Sequence, residues 1–340
     1  MTLRGGIDLG GTKIQAVVVD GSNKVSGESR HPTPRDGGPK GVAGVMAQAM
    51  SDAAEAAGVA PGKLAAVGVG SPGEIDARKG TVSQARNLPD WDGSFALGPA
   101  LSKALGVKKV AIGNDVNVAT MAEFELGVGA PYKSLLGVFW GTGVGGGIVL
   151  DGKIWEGQGA AAEIGHMVYK RGGARCPCGR RGCMEAYAGR ASMEARARKL
   201  EKEGRRTDLF NIAERKGRPR LTAGIWARAL SKGDGVALEI VDRAVAALGT
   251  TVASACNLLD VEAVVIGGGV GTRIGPNYLD AIKREMHEHL FALEHPPVIE
   301  TAQLGDLGGA IGAALLAGER APRARSRSRS QRPRARTRAR

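Results

Sequence analysis

Twice in this chain an apolar strand runs into a glycine-threonine turn, a second apolar strand and a closing Asp-Gly. Ile7-Asp8-Leu9 leads into Gly10-Gly11-Thr12-Lys13, and Ile14–Val19 then runs to Asp20-Gly21. Leu135–Trp140 leads into Gly141-Thr142-Gly143 and the glycines up to Gly147, and Ile148-Val149-Leu150 runs to Asp151-Gly152. Asp-Gly favours the tight turns that reverse a strand on itself. Two copies at similar spacing suggest an internal duplication, hence two domains of related fold facing one cleft. Between and after them, helical stretches (42–58, 95–105, 116–126, 190–203, 236–259, 278–290 and 307–317) alternate with apolar strands (64–70, 107–112, 261–266 and 298–301). That alternation argues for α/β layers. The segment from 204 to Arg220 reads as a basic polar loop.

The 340 residues suffice for two ordinary domains, each with its own core. The net charge of +13 resembles a nucleic-acid signal until it is divided. Ten arginines and no acidic residue lie between Arg320 and Arg340, so the remaining body carries only three of those charges. With aromatics at 4%, base-stacking platforms are not expected either, and no specific nucleic acid is a partner. The tail from 319 onward has too few apolar residues to fold; it is a solubilising extension, or a weak binder of polyanions. No secretory pattern opens the chain, and Leu135–Leu150 is too short and glycine-rich to span a bilayer. A cytoplasmic protein with no membrane partner is expected.

Three of the four cysteines fall in Glu163–Glu185, EIGHMVYKRGGARCPCGRRGCME. Cys176, Cys178 and Cys183 surround Gly179 and Gly182, which let the backbone fold tightly enough to bring the sulfurs together. His166 is a candidate fourth ligand. Three thiolates and an imidazole make a closed tetrahedral set, suited to structural zinc. A disulfide with a spare thiol is the alternative, disfavoured in a reducing compartment. A zinc knot would fix Glu163 and Glu185 in place, and fixed carboxylates can grip a hydroxyl-rich ligand. Cys256, alone among small apolar helical residues, reads as core packing.

Glycine clusters let backbone N–H groups approach phosphate oxygens with no Cβ in the way. Three occur: Gly10-Gly11-Thr12, Gly141–Gly147 and Gly267-Gly268-Gly269-Val270-Gly271. None has the Walker or dinucleotide pattern in its proper context. Lys13 and Thr12 can add a charge and a hydroxyl, and Asp8 can hold Mg²⁺ through water. Asn114-Asp115 sits where a strand ends and a helix begins, the crevice edge of an α/β fold. Asp115 there is either a helix cap or a general base set against a substrate hydroxyl.

Asp8-Leu9-Gly10-Gly11-Thr12-Lys13, Asn114-Asp115, Glu163-Ile164-Gly165-His166 and Cys176–Glu185 together resemble the ROK family of bacterial sugar kinases, open reading frames and repressors, over about residues 5 to 318. The resemblance implies an actin-like (ribonuclease H-like) two-domain sugar-kinase fold with a cleft between the domains. It also implies a structural zinc, Mg²⁺ with ATP, and a homodimer. The domains would be 1–113, which the helix at 303–318 would join, and 114–302, which carries the knot at 163–185. Asp115 would be the general base. Glu163, His166 and Glu185 would line the sugar with Asn114 and Asn87, and His166 would bind zinc through its other ring nitrogen. Asp8, the turn Gly10–Lys13, Gly141 to Gly147 (Gly141, Thr142 and Gly143 foremost) and Gly267 to Gly271 (Gly267, Gly268 and Gly269 foremost) would hold the nucleotide.

The expected activity is ATP-dependent phosphorylation of a hexose, glucose at its 6-hydroxyl before mannose or N-acetylated hexosamines. Two alternatives are a polyphosphate donor, whose users in the family tend to lack the cysteine cluster, and a sugar-sensing regulator. The regulators carry a helix-turn-helix ahead of the kinase-like body, and here the first glycine hairpin begins at residue 7. The basic segment 205–220 and the arginine tail match nothing in the family pattern.

Overall fold

The structure, a computed structural model, describes residues 2–85, 88, 90, 91 and 93–318. The first glycine hairpin is made by β1 (Arg4–Leu9) and β2 (Lys13–Val19), and β3 (Val25–Pro32) follows. After α1 (Gly38–Ala56) come β4 (Val67–Ser71), a small hairpin of β5 (Glu74–Asp76) and β6 (Thr81–Ser83), α2 (Leu97–Leu105), β7 (Val110–Asn114) and α3 (Asp115–Leu126). The second hairpin is β8 (Leu135–Trp140) and β9 (Val144–Leu150), closed by β10 (Lys153–Ile154). The helices α4 (Glu185–Ala188), α5 (Arg190–Lys202), α6 (Leu209–Arg215), α7 (Ala223–Ser231) and α8 (Gly235–Leu259) precede β11 (Ala263–Gly267). The described chain ends with α9 (Gly268–His287), β12 (Val298–Thr301) and α10 (Gly308–Gly318).

The duplication read in the two hairpins extends through both sheets. Their orders are β3-β2-β1-β4-β7 and β10-β9-β8-β11-β12. In each, the first three strands of the chain pair antiparallel, and the fourth and fifth lie parallel to the first. Asp151 and Gly152 both take positive φ, 49° and 73°, which the tight turn between β9 and β10 requires.

Each sheet is covered on both faces. α1 and α2 bury Met46, Met50, Leu97 and Leu101 against the first sheet, while α10 lays Ala310, Ile311 and Ala314 on its other side. The second sheet packs Leu136, Val138 and Trp140 into the core built on α8 and α9, and Leu135 and Val149 meet Phe124 and Met121 of α3. α3 and α10 also pack on each other, so this pair lies between the sheets. Their closeness depends on missing side chains: a Cβ on Gly68 of β4 would overlap the carbonyl oxygen of Ala313, and one on Gly312 that of Val118.

Two sequence expectations change here. The run Gly267–Gly271 is a strand end and the first turn of the 20-residue α9, not a loop. Gly268 takes a φ of 79° where a Cβ would meet the Trp140 backbone, so position rather than helix propensity selects glycine. Residues 204–220 are not all loop, since α6 lies within them. Arg205 of that basic stretch is engaged with Glu239 on α8 at 3.0 Å.

Candidate active site

The cleft between the sheets has two lobes. One, of about 600 Å³, is lined by Asp8, Gly10, Gly11, Lys13, Asp115, Gly141–Gly143, Gly268 and Gly269, among others. The other, of about 700 Å³, is lined by Asn114, Asn117, Glu156 and the loop reaching Ala162. Val116, Gly145, Glu163 and His166 belong to both, so the lobes meet there.

The first lobe is set by the ends of four elements. The hairpin turn closes with Gly10 N–H on the Lys13 carbonyl at 3.0 Å, and its counterpart with Gly141 N–H on Gly143 O at 2.9 Å. Thr12 sits on the first turn but outside the lining, and Gly267 ends β11 just short of it. The N-terminus of α9 opens onto the lobe at Gly268 and Gly269, offering unpaired N–H groups to an anion. Lys13 Nζ lies 3.4 Å from Asp306. Gly145, Gly146 and Gly147, read in the sequence as part of a phosphate loop, are strand residues of β9. Cβ atoms on Gly145 and Gly147 would collide with Val116 and Thr120, so their role is to seat α3.

At the head of α3 the capping role falls to Asn114, whose Oδ1 accepts from Val116 N–H at 3.0 Å and Asn117 N–H at 3.1 Å. Asp115 is the first helical residue, with one oxygen 3.0 Å from Val116 N and the carboxyl on the first lobe. Burial, then the neighbouring charge of Asp8, pushes its pKa up to about 7. Asp8 is itself raised by burial to about 6, against the opposing pull of Lys13. Two raised carboxylates in one cleft form a site that favours a proton or a cation.

In the cysteine stretch, His166 Nδ1 is 3.8 Å from Cys176 Sγ, and the Cys178 and Cys183 sulfurs are 3.8 Å apart. All four donor atoms lie within 4.8 Å of one another. The S–S separation excludes a disulfide between Cys178 and Cys183, and all four cysteines are free. It equals the edge, about 3.8 Å, of a tetrahedron with Zn–S bonds near 2.3 Å, so the donor set fits zinc. His166 Nε2 points the other way, 3.9 Å from Glu163 Oε2. Glu185, just beyond Cys183 and Met184, accepts from Val144 N–H at 2.8 Å and lines the first lobe. Asn87 lies outside the described residues.

The structure thus brings Asp8, Gly10, Gly11, Lys13, Asp115, Gly141–Gly143, Glu163, His166, Glu185, Gly268 and Gly269 to one lobe, with Asn114 on the adjoining one. Sequence reasoning missed Asn117, Glu156, Asp306 and Glu123. Asn117 lies one helical turn from Asn114, a spacing that would have found it. Glu123, 3% exposed, accepts from Gln303 N–H at 3.1 Å and Leu304 N–H at 2.8 Å, pinning the segment ahead of α10. Only the fold brings these together. A separate cavity of about 730 Å³ lies beside Cys176 and Arg243, away from these carboxylates.

A family model described as the ROK family matches residues 4–320. A glucokinase of Thermotoga maritima is 32% identical over 325 residues, 93% of this chain and 97% of that protein. An N-acetylmannosamine kinase of Haemophilus influenzae is 30% identical over 309 residues, 91% of this chain and 93% of that protein. A crystal structure of a ROK family glucokinase from Streptomyces griseus, in complex with glucose and AMPPNP, superposes with a TM-score of 0.78 at 30% identity. It covers 93% of this chain and 99% of that one.

Proposed function

This chain belongs to the ROK family, and from that premise we propose that it transfers the γ-phosphate of ATP to a hexose, glucose first, with Asp115 as general base. The fold is the actin-like sugar-kinase fold of its relatives. The observation that carries the reading is the position of Asp115. It faces the glycine-lined lobe and directly follows Asn114, which lines the adjoining one. A carboxylate there can accept the proton of a sugar hydroxyl as that oxygen attacks phosphorus.

The two lobes divide the work. Asn114, Glu163 and His166, with Glu185 nearby, would hold the sugar through its hydroxyls. Asp8, Gly10, Gly11, Lys13, Gly141–Gly143 and the head of α9 (Gly268 and Gly269) would hold the nucleotide, Lys13 and the backbone N–H groups meeting phosphate charge. Mg²⁺ accompanies ATP in this chemistry and shields that charge; Asp8 would hold it. Closing the sheets together would exclude water that otherwise wastes ATP. We assign zinc to His166, Cys176, Cys178 and Cys183, where it would fix His166 and the neighbouring Glu185. A cytoplasmic location is our expectation; among the described residues no helix is long and apolar enough to cross a membrane. A homodimer is the expected assembly, which sedimentation would measure.

Relatives at similar identity act on glucose and on N-acetylmannosamine by name, so the acceptor is the point to test. A coupled assay with ATP and Mg²⁺ across glucose, mannose, N-acetylglucosamine and N-acetylmannosamine should show the highest kcat/KM with glucose. A preference for an amino sugar would move the acceptor, and turnover with polyphosphate but not ATP would move the donor.

A further inference from the structure

The Gly141–Gly143 turn presents the exposed side of Thr142 to the cleft. From behind, the turn is fastened to the start of α5. Arg190 N–H donates to Gly141 O at 3.1 Å and Ala191 N–H to Thr142 O at 3.0 Å. The Arg190 side chain adds a third tie, Nη2 to Thr142 Oγ1 at 2.8 Å, while Nη1 donates to the Leu221 carbonyl at 2.8 Å. Leu221 is itself fixed, its N–H donating at 3.0 Å to Glu194, which is 2% exposed. The guanidinium is therefore clamped between an anchored carbonyl and the turn's hydroxyl.

This bonding settles the direction of the hydroxyl. A guanidinium only donates, so Thr142 Oγ must accept from it. The hydroxyl proton is then left over, and no other hydrogen bond to Oγ1 is present among the described residues. The open side is the cleft. Accepting a bond from a cation also makes an O–H a better donor. Arg190 itself does not line the lobe.

We propose that Arg190 is a positioning residue for the phosphoryl donor: it locks the turn and aims the Thr142 hydroxyl proton at a phosphate oxygen of the nucleotide. The inference rests on the first lobe being the nucleotide site. The sugar, held in the adjoining lobe, should not sense it.

The test is steady-state kinetics, varying ATP and glucose in turn, on Arg190→Met, Arg190→Lys, Thr142→Val and the Arg190→Met/Thr142→Val double variant. Calorimetric binding of Mg²⁺·AMPPNP gives a readout free of turnover. Arg190→Met should raise the KM for ATP about tenfold or more, as for one charge-assisted hydrogen bond, and weaken AMPPNP in parallel. The KM for glucose should stay within about twofold, and Arg190→Lys, still a cationic donor, should recover part of the loss. The double variant should be little worse than the worse single one, because both changes remove the same interaction. Unchanged ATP and AMPPNP affinity in Arg190→Met, equal loss for both substrates, or additive losses would overturn the proposal. Should Arg190→Met fold poorly, the exposed Thr142 decides: Thr142→Ser must keep nucleotide affinity and Thr142→Val must lose it. A wild-type protein that neither turns over ATP nor binds AMPPNP would instead remove the kinase reading itself.

Discussion

Replacing Asp115 by Asn should stabilise the protein at alkaline pH while removing most of its turnover. In the folded protein burial and the charge of Asp8 push the Asp115 pKa from 3.8 up to about 7. A raised carboxylate binds its proton more tightly folded than unfolded, so ionisation costs stability. That cost is absent below the unfolded value, grows as pH rises and is complete above the folded one. A shift of roughly three units corresponds to a ceiling of about 4 kcal/mol. The carboxyl faces an open cleft, and solvent screening reduces the expectation to about 2 kcal/mol. Asn keeps an oxygen able to accept from Val116 N–H, so the bond now measured at 3.0 Å survives. Urea unfolding of the two proteins at several pH values reads the difference directly. The Asn variant should be more stable by about 2 kcal/mol at pH 8, by a smaller margin near pH 5, and equal to wild type near pH 3. A gap that does not vary with pH, or a less stable Asn variant at pH 8, would refute the electrostatic reasoning.

Cys183→Ser should abolish stoichiometric zinc, measured by atomic emission, and raise the KM for glucose about tenfold while affecting that for ATP less, since His166 is one of the four donors and Glu185 lies 3.8 Å from Cys176 Sγ. Gly68→Ala drives a Cβ into the Ala313 carbonyl and should lower stability by about 3 kcal/mol in urea; a neutral substitution would mean that α10 does not sit flush on β4. Ala162, immediately before Glu163, holds a φ of 62°, strained for a residue with a Cβ. Ala162→Gly should raise the unfolding midpoint, by about 1 kcal/mol in free energy, and no change would argue against the strain.

The sequence revealed what repeats and what is local. The glycine hairpins, with Leu135–Trp140 bounded as read, carried the duplication that both sheets display. The cysteine spacing with His166 marks out the four donors that the fold draws together. Other features escaped because distant segments create them. Glycine disfavours helices, so Gly268–Gly271 read as loop, and only the Trp140 backbone beside Gly268 explains the choice. Asn114 and Asp115 could each have capped α3, and the bonds that Asn114 Oδ1 accepts from Val116 and Asn117 N–H decide between them. Arg190 and Thr142 lie 48 positions apart, and Glu123 meets Leu304 across 181. No local pattern announces such pairs.

The pH dependence of kcat/KM for glucose, measured for wild type and Asp115→Asn, bears most directly on Asp115 as the base. Wild type should lose activity tenfold per unit below an apparent pKa of about 7, because the base must be ionised to accept the hydroxyl proton. The Asn variant should turn over about 10²- to 10⁴-fold more slowly and lack that limb. A wild-type rate that stays flat to pH 5, or an Asn variant with near-normal turnover, would contradict the account.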